Sequence, residues 1–308
     1  MSKKAKSPIR IAAIVTCYNR CEKTLKCLKS LIGALNHYNS ISEQELYLEL
    51  FITDDGCTDN TFPEIEINIK NAVPVTVIKG SGSLYWAGGM RSAWNEARKR
   101  KWDYFFLLND DTELRDYVFV ELFNADSYCQ GKYQKKGIYS GITCAPNDES
   151  RITYGGYVWR NKAKATISLL NASGNIQECD MANANILLVH QSVVDSIGVF
   201  YEEYIHSYAD FDYSLVAKEK GFPVVVTANI CGECEYDHLS KTDYLKQICS
   251  MSLSNRKKHF SHPLHSNQDY ETLIRRTAPS RLVLVKIGRW INLYIPRLYL
   301  WLHLIRQT

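Results

Sequence analysis

Residues 104–112 read YFFLLNDDT. Five apolar residues in succession, too few for a helix and flanked by turn formers, are the pattern of a strand buried on both faces, the usual state of a strand in a parallel sheet. Asn109, Asp110 and Asp111 follow at its carboxyl end, where side chains are held by the sheet yet face its open edge. Upstream the same design recurs three times. Ile11–Thr16 runs into the turn TCYNR (16–20), and Leu48–Thr53 into DDGCTDN (54–60). Val75–Lys79 runs into GSGSLYWAGG (80–89), with a helix expected from about Met90 to Lys101. After the first turn, Leu25, Leu28, Leu31 and Leu35 recur at helical steps. Alternating strands and helices predict a right-handed, mostly parallel α/β sheet whose ligand site lies beyond the carboxyl ends of the strands.

The composition agrees with one large domain and an appendage. The chain of 308 residues is 45% apolar and 12% aromatic, enough for a substantial core, which excludes a disordered, collagenous or repeat protein. Ten cysteines are scattered without a secretory leader before the first strand, so a reducing cytoplasm is expected. Cys231 and Cys234 have C-x-x-C spacing, but no second pair stands beside them to complete a zinc site. The dinucleotide fingerprint G-x-G-x-x-G is missing after the first strand, and no phosphate loop of the G-x-x-x-x-G-K type occurs.

Downstream, residues 137–179 read as short β pieces separated by turns, followed by a strand in ANANILLVH, a helix in QSVVDSIG, a second helix with Asp210 and Asp212 near its start, and a last strand at Val224–Val226. Each acidic group has two readings. Asp110 and Asp111 either cap the next helix or supply the one or two carboxylates that Mg²⁺ takes alongside substrate phosphates. The DDGCTDN turn is either a simple turn and cap or an acceptor for a base N–H or ribose hydroxyl. Asp210 and Asp212 either complement a helix dipole or include a base that deprotonates a hydroxyl.

Taken together and in this order, TCYNR, DDGCTD, the Gly-rich segment, LLNDDT and ADFDYSLVAKEKGF (209–222) resemble the family 2 glycosyltransferases of GT-A fold, over about Ile11 to Asp237. GSLYWAGGMRSAWNEA is similar to the sugar-nucleotide loop of bacterial members that build rhamnose-, galactofuranose- or hexose-containing surface polysaccharides such as capsule or O-antigen. The resemblance implies a Rossmann-like GT-A domain at 1–245, with a nucleotide-binding half at about 10–115 and an acceptor and catalytic half at about 116–245. It implies an inverting, Mg²⁺- or Mn²⁺-dependent transfer from a UDP-, dTDP- or GDP-linked sugar to a glycan or lipid-linked glycan. Thr16, Tyr18, Arg20, Asp54, Asp55, Gly80 and Asp110 would then serve the nucleotide, and Trp86, Gly88, Gly89 and Arg91 the donor sugar. Asp111 would hold the metal, with His238 as a further ligand and Cys234 structural, a soft thiolate being a poor Mg²⁺ ligand. Asp210 would be the base, though Ala209 replaces the usual acidic neighbour and leaves Asp212 as the alternative. The glycines have a second reading as close helix–sheet contacts, and Trp86 as core.

Two other functions compete. A nucleotidyltransferase would show a basic Gly-rich loop after the first strand, which TCYNRCEKT lacks, and a silent sugar-nucleotide-binding protein need not keep Asp54, Asp111 and Asp210 together. Nucleic acid is not an expected partner. The C-terminal region, 246–308, carries no acidic residue after Glu271 but seven Lys and Arg residues from Arg275 onward. Leu282–Ile305 mixes Leu, Ile, Trp and Tyr with Lys286, Arg289, Pro296 and Arg297, which disfavours a spanning helix and favours one lying on an anionic inner membrane face. Packing on the catalytic domain or on a second copy in a homodimer is the competing reading.

Overall fold

The computed structural model describes residues 7–162, 165–236 and 239–305. In chain order the first half is β1 (Ile9–Cys17), α1 (Cys21–Ile41), β2 (Leu46–Asp54), α2 (Thr61–Asn68), β3 (Val75–Lys79), α3 (Tyr85–Ala97) and β4 (Tyr104–Leu108). Then follow β5 (Glu113–Leu114), α4 (Val118–Tyr133), β6 (Ile138–Ala145), β7 (Asp148–Tyr154), β8 (Gly156–Asn161), β9 (Thr166–Leu169), β10 (Gln177–Glu178), β11 (Met181–Ala182), β12 (Ile186–His190), α5 (Gln191–Ile197), α6 (Ala209–Glu219) and β13 (Val224–Glu233). Five helices close the described chain: α7 (Lys241–Ser250), α8 (Leu253–Ser261), α9 (Gln268–Thr277), α10 (Leu282–Tyr294) and α11 (Pro296–Ile305).

The large sheet has the order β10-β13-β6-β12-β4-β1-β2-β3, and β11, β8 and β9 form a smaller antiparallel one. Its parallel half, β4-β1-β2-β3, is the set expected from the four apolar runs, and its carboxyl ends lie side by side. The other half is mixed, because β12 runs antiparallel to both β4 and β6. A core lies on each face. Leu28, Leu31, Phe106 and Phe119 fill one, and Trp94, Phe105, Phe200 and Tyr213 the other, each such side chain contributing about 1.5–3 kcal/mol by leaving water.

Three boundaries differ from the sequence reading, the first being that of the last strand, β13, which continues past Val226 to Glu233 beside β6. Helix α3 begins at Tyr85 and not Met90, because the Asp55 carboxylate accepts the otherwise unpaired N–H groups of Gly82, Leu84 and Tyr85, and so starts the helix ahead of its two glycines. Those glycines let α3 press onto the sheet. A Cβ on Gly89 would stand 2.1 Å from Thr16 Oγ1, and Thr53 Oγ1 donates to the Gly89 carbonyl at 2.8 Å. Gly89→Ala is therefore expected to cost about 1–3 kcal/mol of stability through overpacking, read as a lowered denaturant midpoint. The tail also differs: Leu282–Ile305 is two helices that pack on each other and break at Ile295–Pro296, since proline cannot continue the hydrogen-bond ladder.

Candidate active site

At the carboxyl ends of β1 and β4 the structure brings together Arg20, Asp110 and Asp111. The Arg20 guanidinium donates to Asp110 Oδ1 at 3.1 Å and to Asp111 Oδ2 at 2.9 Å. Thr24 Oγ1 donates to the other oxygen of Asp110 at 3.2 Å. Burial raises the Asp110 carboxyl, Arg20 lowers it and Asp111 raises it again, leaving it at about 6. Asp111 is the more accessible of the two, its side chain 20% exposed against 9% for Asp110. Beside it, the Cys234 thiol lies 3.7 Å from Asp111 Oδ1 and accepts from Asn185 Nδ2. Burial and the adjacent carboxylate push that thiol up to about 12, so near neutral pH it is a protonated donor.

The neighbouring turns are built around two further carboxylates. Asp54 is buried at the end of β2, accepting from the Cys57 amide at 2.8 Å and from the Lys79 ammonium at 2.5 Å. Burial alone would raise its carboxyl, but these partners outweigh it and hold it below the usual range. Asp55 caps α3, and Gly80 approaches it so closely that a Cβ there would meet Asp55 Oδ1 at 2.6 Å. Tyr18 is 56% exposed at the mouth of the same loops. Thr16, by contrast, is buried beneath α3 against Gly89.

Of the residues expected near the donor sugar, Trp86 Nε1 donates to Asn109 Oδ1 at 2.7 Å, which places its ring beside the β4 turn and over Phe200. Gly88 and Gly89 are buried in α3. Arg91 is engaged elsewhere, donating to the carbonyls of Tyr201 and Tyr204 at 3.1 and 3.0 Å. The same loop meets the start of α3, where the Ala87 amide donates to the Ile205 carbonyl.

That loop leads directly into α6 and its two aspartates. Asp210 is 7% exposed, and its carboxylate accepts from the Ala184 and Phe211 amides at 3.0 and 2.9 Å and from Asn183 Nδ2 at 3.4 Å. Burial is the larger influence and raises this carboxyl in spite of those donors. Asp212 points elsewhere and is committed: both its oxygens accept from Arg276 Nε of α9, at 2.9 and 3.0 Å, and Arg276 also lies 4.0 Å from the centre of the Tyr201 ring. Asp212→Asn should therefore act on stability, costing about 1.5–3 kcal/mol for a charge-assisted bond, with turnover per folded molecule little changed. Unfolding curves alongside activity measurements separate the two.

Sequence reasoning missed the fastening of this loop. The Asp269 carboxylate of α9 is buried and accepts from three successive amides, those of Ile205, His206 and Ser207, at 2.7–3.0 Å. No local signal could have found it, since the partners are more than sixty residues apart. Thr24 and Asn185 were likewise invisible as neighbours of the acidic pair, whereas the sequence reading already weighs Cys234 beside His238 at the metal position and takes it as structural. His238 lies outside the described residues.

A model of the family described as Glycosyl transferase family 2 matches residues 12–136, the stretch that carries β1 to β4 and the acidic turns. Over residues 12–136 the chain is similar to that family. Similarity of fold extends over the rest of the chain. TarS 1–349 of S. aureus superposes with a TM-score of 0.50 at 14% identity, covering 92% of this chain and 79% of that one. The mannosyltransferase PcManGT from Pyrobaculum calidifontis, solved in complex with GDP-Man and Mn²⁺, gives 0.51 at 12% identity, covering 97% and 88%. At such identities the likeness establishes the fold, a GT-A sheet flanked by helices with further helices at the C-terminus. No curated protein sequence matches the chain.

The acidic pair fits a hard divalent cation. Its donors are carboxylate oxygens, and Arg20 already places one positive charge between Asp110 and Asp111, where the two need compensation. Among the described residues no three His, Cys, Asp or Glu side chains form a complete ligand set, so such an ion would draw its remaining ligands from substrate and water.

Proposed function

We propose that this glycosyltransferase transfers a sugar, with inversion at the anomeric carbon, from a nucleoside-diphosphate sugar to a hydroxyl of a glycan or lipid-linked glycan in bacterial surface polysaccharide synthesis. The observation that carries the reading is the meeting of Arg20, Asp110 and Asp111 at adjacent strand ends, with Asp54 and Asp55 fixing the loops beside them. A leaving diphosphate needs positive charge, and a metal held by Asp111, with Asp110 beside it, would supply Lewis-acid compensation there. Arg20 pairs with both carboxylates and is placed to exchange these contacts for phosphate oxygens, to which its planar fork is suited. Trp86, held by Asn109 beside the acidic pair, would contact the donor sugar.

Asp210 is the proposed base. Its raised carboxyl is better matched to accepting a hydroxyl proton near neutral pH than an ordinary aspartate, and the three groups that bond it fix its direction. With a single displacement, the proton leaves the acceptor hydroxyl for Asp210 as that oxygen bonds to the anomeric carbon and the diphosphate departs from the opposite face. The test is a panel of UDP-, dTDP- and GDP-sugars offered with Mg²⁺ or Mn²⁺ and again in excess EDTA, with the product's anomeric configuration read by NMR. Retention of configuration, or undiminished transfer in EDTA, would overturn the corresponding part.

The tail supports work at a membrane surface. Val283 and Leu284 are each 67% exposed, Trp290 55% and Trp301 56%, and Ile287, Leu298 and Leu304 lie exposed with them, interspersed with Lys286 and Arg297. No helix among the described residues is long and apolar enough to cross a bilayer. Apolar surface bordered by unopposed cations is what an interfacial helix offers to anionic lipid. Full-length protein is expected to float with anionic vesicles in a salt-sensitive way, and protein ending before Arg281 to stay behind; equal behaviour of the two would exclude the tail as the anchor.

A further inference from the structure

Outside the acidic site, α8 and the turn after it border an open hollow of about 380 Å³ lined by Met251, Asn255, Lys258, His259, His262 and His265. Among the described residues no carboxylate lines it. The His259 and His265 rings stack at 4.1 Å with an interplanar angle of 12°, and His262 lies 5.6 Å from His265. Three imidazoles and an ammonium on one hollow repel one another once protonated. Burial and the neighbouring imidazoles accordingly hold His259 and His265 below the usual range.

The hydrogen bonds decide what such a hollow lacks. Tyr244 OH pairs with His259 Nε2 at 3.1 Å. The Leu264 amide donates to His262 Nδ1, so in the neutral ring the proton sits on Nε2, which is left as a donor. The side chains of Asn255, Lys258 and His265 have no hydrogen-bond or ion-pair acceptor among the described residues, although each can donate. Donors without acceptors around a concave, carboxylate-free surface call for an anion. A shared cation is the poorer fit, since stacked rings do not aim their nitrogens at one point and no metal-holding group occurs there among the described residues.

Position gives the anion a role. His262 meets the edge of Tyr85 at 6.2 Å, and Tyr85 opens α3 next to Trp86, whose indole is bonded to Asn109 beside the acidic pair. On its other side α8 is tied to the tail by Arg256 Nε, which donates to the Leu293 carbonyl of α10 at 2.8 Å. The hollow thus lies between the donor loop and the exposed apolar helices. We propose that it is a phosphate-binding subsite, which holds the phosphate of a phosphate-bearing acceptor while the acceptor hydroxyl is presented to the donor. The assignment of an acceptor rests on the transferase reading above; the phosphate chemistry does not.

The experiment follows the histidine C–H resonances of the full-length protein during titration with inorganic phosphate, then with a phosphorylated sugar, then with phosphatidylglycerol vesicles. Saturable shifts of His262 and His265 with inorganic phosphate are expected, weakened roughly tenfold or more in Lys258→Ala, which removes one charge-assisted bond at an exposed position. Nucleoside-diphosphate affinity should be the same in that variant. Stronger shifts with the phosphorylated sugar than with vesicles assign the phosphate to the acceptor, and the reverse order assigns it to a lipid headgroup and removes the acceptor role. No histidine shift with any of the three, or shifts unchanged in Lys258→Ala, would overturn the subsite even if sugar transfer is observed. Failure of transfer with every donor while phosphate still binds would instead remove the transferase reading and leave the subsite.

Discussion

Asp111→Ala is expected to lower sugar transfer by at least about a thousandfold, and to leave the thermal midpoint within a few degrees of the parent. The size follows from what is lost. Stabilising a diphosphate leaving group with a cation is worth several kcal/mol, and each 1.4 kcal/mol is a factor of ten in rate. The fold should tolerate the change because Asp111 is partly exposed, is bonded through Arg20 and the weak Cys234 contact, and follows a strand whose five residues are all buried without its help. Arg20 keeps Asp110 as a partner in the variant. Donor-dependent transfer by the alanine protein at parental rate would show that the pair at this strand end serves only to anchor Arg20.

Asp210→Asn should lower turnover by about 10²–10⁴-fold, the range for removing a general base, while donor affinity measured by calorimetry is retained. The amide keeps the size of the carboxylate and one acceptor oxygen for the Ala184 amide, so the loop and helix start should remain in place. A pH signature distinguishes loss of a base from loss of shape. The folded-state carboxyl is raised by burial, so kcat/KM of the parent should fall with acid at a midpoint above the ordinary aspartate value of about 3.9, and that acidic limb should be lost in the variant. If Asp212→Asn were the variant that lost turnover and its acidic limb, the base would have been placed on the wrong aspartate of the pair.

How far the sequence could be read depended on whether the deciding partner lay nearby in the chain. Strands β1 to β4 were legible because each is a largely apolar run closed within a few residues by Asn, Asp or Gly, and pattern and punctuation are both local. The same locality exposed Asp54, Asp110 and Asp111 as residues at the open edge. The start of α3 was not legible, since Gly88 and Gly89 argue against a helix and the group that initiates it, Asp55, belongs to the turn after β2, some thirty residues earlier. Nor was the separation of Asp210 from Asp212: both lie in the first turn of the same helix, and only Arg276, sixty-four positions later, takes one of them. Pro296 was visible, yet the segment around it reads as a single amphipathic stretch until the two helices are seen folded against each other. The phosphate hollow draws on residues that are individually unremarkable and gain meaning only from the acceptors they lack.

The clamp formed by Asp269 has a consequence for how the protein comes into being. Synthesis proceeds from the amino end, and domains condense as they emerge. Every strand of the sheet and every acidic turn is made before residue 269 leaves the ribosome, and all that time the amides of Ile205, His206 and Ser207 lack their acceptor and Asp212 its arginine. A nascent chain therefore has its acidic turns before the loop leading to Asp210 is fixed. The groups that fasten the proposed base and the helices that follow them are among the last to be translated, so the loop before Asp210 is tightened only as the exposed apolar helices are being finished.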